Sequence, residues 1–299
     1  MPELPEVEVV RAGLEPAVVG ARIEACTVLD ARALTRHVGS PDSFERELTG
    51  RSLSAAARRG KFLWFPVAGT ERAVVAHLGM SGQMLLREPG APTERHERIR
   101  WDVVHPEHGE LSVLFVDQRT FGSLAVDDLR PTADGAPGGR GTDAALAPTQ
   151  VAHIARDPLD PAFDVGRFHA ELARRSPAVK RVLLDQGVVS GIGNIYADEA
   201  LWAARVHPET PASALSRAAR ERLLEAVVAV MTKALAEGGT SFDAQYVNVN
   251  GQAGYFAHSL EAYGRTGAEC SRCGSAIVRV AFTNRSSHYC PRCQRRRRP

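Results

Sequence analysis

The chain has 299 residues, 44% hydrophobic and 24% charged, with a net charge of +2. That length allows two domains with sizeable cores. No run of eighteen apolar residues and no basic n-region with an apolar h-region is present, so neither a transmembrane helix nor a secretory leader is expected and a cytoplasmic location is. The charge is unevenly placed: Tyr263–Pro299 holds nine Arg and one Glu, about +8, leaving about −6 for the rest. Such a basic end module suits a polyanion.

The opening "MPELPEVEVV" reads as a short helix over residues 1–15. Val7, Val10 and Leu14 share one face, Pro5 suits the first turn, Glu6 and Glu8 favour the positive end of the dipole, and Pro16 ends the helix. From about 20 to 128 the branched runs "AVVAHL", "IRWDVV" and "LSVLFVD" lie between Gly and Pro and predict a β-sandwich or barrel packed around that helix. Residues 131–150, rich in Gly, Pro and Ala without period, are expected to be a flexible loop or linker.

The pattern turns helical from about 160 to 238. "SPAVKRVLLDQG" offers a Ser cap, Pro at the first helical position and a terminal Gly. "NIYADEALWAARV" follows, and "RAARERLLEAVVAVMTKALAEGG" is a long amphipathic helix with a Gly stop. The stretch after it mixes polar and aromatic residues as a loop.

The end carries Cys270-x2-Cys273 and Cys290-x2-Cys293, separated by sixteen residues. Four thiolates at this spacing close a tetrahedral Zn²⁺ site, and the intervening residues have the length of a two-stranded hairpin; a disulfide framework is the alternative, but nothing suggests secretion. With every position filled by protein, the zinc is structural, and in so small a module it contributes much of the folding free energy. Cys26 stands alone as a buried or neutral thiol. Arg285 lies in the turn before the second Cys pair, within reach of a phosphate.

"MPELPEVE" at the terminus, "RRGKF" at 58–62, "HLGMSGQM" at 77–84, "GIGNIYADEALW" at 191–202, "YVNVNGQAGYF" at 246–256 and the four-cysteine finger occur in this order. Together they resemble the formamidopyrimidine-DNA glycosylase branch of the Fpg/Nei family over nearly the whole chain. The resemblance implies an α+β protein of two domains. The first is an N-terminal β-sandwich with an N-terminal helix. The second is a helical domain with a helix–two-turns–helix element and a zinc-binding β-hairpin, with DNA across the cleft between the two. The expected boundaries are 1–130 for the catalytic sandwich, 131–150 for the linker and 151–240 for the helix–two-turns–helix domain. A lesion-recognition loop and connection then span 241–262, and the zinc finger 263–299.

The same resemblance implies a monomeric glycosylase and abasic-site lyase acting on double-stranded DNA with oxidised or abasic sites. Its substrates would be 8-oxoguanine opposite cytosine and formamidopyrimidines. Removal of Met1 would leave Pro2 as a secondary-amine nucleophile; an α-amino group, with a pKa near ~8, is far easier to deprotonate than a lysine. Glu3 is implied as general acid at the sugar ring oxygen, Glu6 as a helper or an orienter of the terminus, and Lys61 as an active-site cation. Met80, Arg119 and Phe121 would fill the space left by a flipped base. His96, Asn194 and Arg285 would contact DNA, and Asn194 would also cap the following helix.

The chain departs from the family where "DQRTFG" carries Thr120 in place of an arginine. "TSFDAQYVN" also lacks an arginine often present in the recognition loop. Two other readings compete. An endonuclease VIII-like enzyme for oxidised pyrimidines tends to open "PEGPE" and lacks the Met–Arg–Phe set. A non-catalytic zinc DNA-binding protein would not need Pro2, Glu3 and Lys61 together.

Overall fold

The computed structural model describes residues 2–240, 248–252 and 254–296. The chain divides into two compact units, one of residues 1–153 with 238–254, the other of 154–237 with 255–299.

In the first unit, helix α1 (Leu4–Val18) is followed by β1 (Arg22–Val28), α2 (Pro41–Leu48), β2 (Ala57–Arg59), β3 (Phe62–Pro66), β4 (Arg72–His77), β5 (Gly82–Arg87), β6 (Glu97–His105), β7 (Gly109–Asp117), β8 (Ser123–Pro131) and β9 (Leu146–Pro148). The strands form two antiparallel sheets, ordered β1-β6-β7-β5 and β2-β3-β4-β8-β9. Alternation in "ERIRWDVVH" sends Ile99, Trp101 and Val103 inward, while "FLWF" is buried on both sides. Leu63 and Phe65 from one sheet and Ile99 and Trp101 from the other join Val7, Val10 and Leu14 of α1 in one core. The Phe65 and Trp101 rings meet edge to face at 5.8 Å.

The expected helix end at Pro16 is corrected. Pro16 lies inside α1, which continues to Val18 and closes with Val19 N–H on the Glu15 carbonyl. A proline late in a helix forfeits one backbone bond, and burial of Ala17 and Val18 compensates for it. Helix α2 was not expected in the β region. Ser40 caps it by accepting from Ser43 N–H, Pro41 opens it, and Phe44 and Leu48 enter the core.

Residues 131–150 are not a free linker. Strand β9 pairs with β8, and Arg58 and Arg140 exchange both backbone hydrogen bonds at 2.9 Å. The backbone passes so close to Trp64 and the Arg58 carbonyl at Gly139 that a Cβ there would collide with that oxygen.

The second unit contains α3 (Val165–Arg174), α4 (Val179–Leu183), α5 (Asn194–Ala203), α6 (Arg217–Ala236) and the antiparallel hairpin β10 (Val278–Phe282) and β11 (Arg285–Tyr289). Ser176 does not cap α4, whose N-cap is Ala178. Ala178 instead bridges Pro211, and Val179 N–H donates to the Thr210 carbonyl, so residues before Val179 are held extended by a neighbouring segment. No helix among the described residues is long and apolar enough to cross a membrane.

Candidate functional site

The N-terminus of α1 collects buried polar groups. Pro2 is buried, and Glu3 and Glu6 are each 2% exposed. Glu6 Oε2 accepts the Glu3 N–H at 2.8 Å and Oε1 accepts the Thr240 N–H at 2.8 Å. Both oxygens therefore hold backbone, one at the chain start and one at the segment entering residues 241–247. Gly239, at φ +83°, would bring a Cβ to 3.2 Å from Glu6, so only glycine suits this approach.

Two residues further along α1, Glu8 accepts from Arg11 at 2.9 Å, Arg58 at 2.7 Å and Arg140 at 3.2 Å. Arg11 also donates to the Ala56 carbonyl and Arg59 to that of Gly138. The α1 terminus is thus bound to β2 and to the 131–150 segment by charged hydrogen bonds in a water-poor site.

Lys61 is buried at the second position of the two-residue turn between β2 and β3, after Gly60 at φ +56°. Across the sheet from it, the Phe62 and His77 rings lie 4.7 Å apart, with Arg36 over Phe62 at 5.2 Å. Burial, reinforced by the Arg36 and Lys61 cations, pulls the His77 imidazole down to about 4. His77 Nδ1 accepts the Gly79 N–H at 3.1 Å, a bond that requires the neutral ring.

Met80 and Phe121 are among the exposed large apolar residues, and the Arg119 guanidinium lies 4.6 Å over the Phe121 ring. Asp117, fully buried, ties their two turns together. It accepts Ser81 Oγ–H at 2.6 Å, Arg119 N–H at 3.1 Å and Gly122 N–H at 2.7 Å. Gly79, at φ +62°, packs against the Phe121 carbonyl so closely that a Cβ would fall 2.5 Å from it. Thr120 sits at φ +55°, a strained conformation for a β-branched residue. His96, at φ +67°, offers its carbonyl to the Asp117 N–H at 2.9 Å, which joins it to the same turns.

In the second unit, Asn194 is the first residue of α5 and not its cap, a correction: Gly193 is the N-cap. Asn194 Oδ1 has no partner among the described residues. Arg285 opens β11 and is exposed, so it lies at the hairpin tip, paired with Phe282 just after the turn of Thr283 and Asn284 and not within it.

The four sulfurs of Cys270, Cys273, Cys290 and Cys293 lie within 4.8 Å of one another, with Cys273 and Cys290 at 3.4 Å. A zinc with bonds of ~2.3 Å needs sulfurs roughly 3.8 Å apart, so the donor set fits one tetrahedral ion. The first knuckle turns tightly, with Cys273 and Gly274 N–H groups on the Cys270 carbonyl and Gly274 at φ +71°. Arg272 in that knuckle stacks 3.7 Å over Trp202 and donates to the Trp202 and Ala203 carbonyls. This places a cation at the negative end of α5.

Two buried carboxylates brace this unit, and sequence reasoning missed both. Asp198 pairs with Lys180 at 2.7 Å and accepts the His288 N–H at 2.8 Å; Lys180 also donates to the Ser286 carbonyl at 2.8 Å. Glu199 accepts the N–H groups of Glu261, Ala262 and Tyr263. The only signal for them was a pair of acids on an otherwise apolar helix, "NIYADEALW". Asp117 was likewise legible only as a residue type, and Glu8 only as a charge favouring the helix dipole, not as the partner of three arginines.

A sandwich carrying a buried acidic N-terminus and a helical unit ending in a four-cysteine hairpin define a two-unit zinc protein. Comparison with known proteins narrows this class. Residues 1–124 match the formamidopyrimidine-DNA glycosylase N-terminal domain, 154–245 its H2TH domain, and 267–296 the zinc finger found in FPG and IleRS. The chain is 64% identical to a formamidopyrimidine-DNA glycosylase of Leifsonia xyli over 99% of its own length and 100% of the relative's. It is 51% identical to one of Streptomyces coelicolor, over 99% and 98%. Among solved structures, Lactococcus lactis Fpg bound to abasic-site DNA aligns with TM-score 0.80 at 30% identity, covering 98% of this chain and 100% of that one. A mutant of the same enzyme with Fapy-dG DNA gives TM-score 0.82 at 30% identity, covering 99% and 100%. The chain belongs to the formamidopyrimidine-DNA glycosylase family.

Proposed function

We propose that the protein is a zinc-containing DNA glycosylase and abasic-site lyase that removes oxidised purines, with 8-oxoguanine opposite cytosine and formamidopyrimidines as substrates. We place it in the cytoplasm as a monomer. The observation that carries the reading is the N-terminus of α1. Two carboxylates are buried beside Pro2 where a solvated helix start would leave them in water.

Loss of Met1 leaves the Pro2 secondary amine at the start of α1 beside Glu3 and Glu6, and its unprotonated form is the nucleophile. The amine attacks C1′ of the lesion nucleotide, the bond to the base breaks and the base leaves with the proton that the amine gives up, and Glu3 delivers a proton to the ring oxygen as the sugar opens to an iminium. The iminium acidifies the adjacent C2′ hydrogen, so β- and then δ-elimination cut the strand. Glu6 acts as an orienter, since its two oxygens are engaged by Glu3 and Thr240 backbone. Lys61 supplies a cation for the lesion's phosphate.

Met80 and Phe121, exposed on turns fixed by Asp117, fill the space left by the flipped base, and Arg119 pairs with the orphaned partner. His96, Asn194 and Arg285 hold the strand backbone. Zinc, bound by the four cysteines, supplies the cross-link that shapes the hairpin bearing Arg285.

Borohydride reduction with a duplex carrying 8-oxoguanine opposite cytosine tests the reading. The expected result is a covalent adduct mapping to Pro2. Trapping only with oxidised pyrimidine would move the chain to the pyrimidine branch. No adduct with any lesion or abasic site would refute the catalytic assignment.

A further inference from the structure

We propose that the groove between α4 and the tip of the β10–β11 hairpin seats a DNA backbone phosphodiester, held by Arg181 together with Arg285. This rests on the DNA glycosylase reading above and adds to it a strand contact at Arg181.

The groove has a volume of about 700 Å³ and is lined by Arg175, Arg181, Asp185, Phe282, Asn284 and Arg285, among others. Its charges are not balanced internally. Arg175 pairs with Glu171 at 2.8 Å and with Asp185, the one carboxylate of the lining, at 3.0 Å. Arg181 and Arg285 are exposed, and neither guanidinium has a hydrogen bond or ion pair among the described residues. Two unpaired guanidiniums facing one concavity repel each other, and a phosphate diester, with oxygens for both planar forks, removes that repulsion. Leu184 and Phe282 give the lining an apolar component suited to a deoxyribose.

The two arginines are also held in register. Lys180, next to Arg181, points inward and donates to the carbonyl of Ser286, next to Arg285, at 2.8 Å. Its partners Asp198 and Ser287 are fully buried. One buried lysine therefore fixes the two backbones from which the surface arginines project, so little ordering remains to be done when the strand arrives. A lysine–arginine pair on successive helix positions can serve both purposes because neighbours on a helix point about 100° apart.

The test is the salt dependence of binding by the zinc-loaded protein to a duplex containing a tetrahydrofuran abasic analogue. Arg181→Ala, Arg181→Lys and Arg285→Ala would be compared at several salt concentrations. Each alanine variant is expected to lower the slope of log K against log salt by about 0.9, the value for one phosphate contact. Affinity should fall about 3–10-fold at physiological salt, as expected for one lost charge-assisted contact, while Arg181→Lys keeps the slope. Arg181 is exposed, so its variants should retain zinc content and melting temperature.

An unchanged slope in Arg181→Ala beside a reduced one in Arg285→Ala overturns the assignment of Arg181. Competition by inorganic phosphate that depends on Arg181 while DNA affinity does not would make the groove a free-anion site, and also overturns it. Failure of the unaltered protein to bind the lesion duplex would remove the glycosylase reading itself, an outcome distinct from both.

Discussion

Lys180 and Asp198 offer the sharpest test of what holds the second unit together. Both side chains are completely buried and 2.7 Å apart. Lys180→Met keeps the length and volume of the side chain but leaves the Asp198 carboxylate without its cation, with His288 its remaining hydrogen-bond partner among the described residues. It also removes the donors to the Ser286 carbonyl and the Ser287 hydroxyl.

Breaking one side of a buried pair costs about 3–5 kcal/mol. For a unit of this size that is a fall of about 10–20 °C in melting temperature. The double variant Lys180→Met, Asp198→Leu removes both charges and should recover at least about half of the loss, since an apolar replacement of both partners is often close to neutral. Urea unfolding of the zinc-loaded protein, followed by fluorescence, gives both numbers. A single-variant loss under about 1 kcal/mol would refute the argument that Coulombic pairing compensates desolvation here; so would a strictly additive double variant.

Four further outcomes are expected. Because burial and the Arg36 and Lys61 cations hold His77 near 4 against an ordinary 6.5, the unfolded chain takes up a proton first as pH falls. The His77 contribution to stability is present above about pH 6.5 and lost progressively toward pH 4. NMR titration should show a neutral His77 through that range, and His77→Gln should flatten the stability slope; protonation near 6.5 would contradict this. Chelation of zinc should unfold the hairpin and, by removing Ser286 and Ser287 from Lys180, also lower the unfolding temperature of the helical unit. A melting curve insensitive to metal would overturn the coupling. Thr120→Gly should stabilise the first unit by about 1 kcal/mol, because the αL strain is relieved; a loss measured by denaturation would show that Thr120 packing outweighs it. Burial, followed by Glu45, pushes the Cys26 thiol up to about 12, so Cys26 should resist a thiol reagent until the chain unfolds. Fast labelling in the native protein would disprove this.

Much of this molecule could be read from local pattern. The apolar face of α1, the long α6 and the finger hairpin all announce themselves within a few residues, since period, caps and Cys spacing are local signals. What escaped reading depends on distant partners. Helix α2 hid in a β-rich region because so short a helix gives little periodicity, although "SPD" carried its cap and first turn. Ser176 lost its capping role to a bridge between Ala178 and Pro211, a segment well beyond α5 in the sequence. The Gly- and Pro-rich 131–150 stretch looked mobile because its order comes from Arg58 and Trp64, far back in the chain.

The candidate site divides the same way. Motif residues such as Pro2, Glu3, Met80 and Arg285 could be named in advance through the resemblance. The burial and partners of Asp117, Glu8, Asp198 and Glu199 could not, because a buried carboxylate differs from a solvated one only by partners that sequence does not display.

The ion pair between Glu8 and Arg140 spans 132 positions of sequence. It has a consequence for the order of assembly. Helix α1 leaves the ribosome well before residue 140, yet Glu8 cannot gain all three of its arginines until Arg140 has been synthesised and both sheets have begun to close. Long-range contacts of this kind form late and slow folding. A helix made early is therefore among the last elements to be secured. A protein truncated before Arg140 would carry every residue of the opening motif and still lack the frame that holds it.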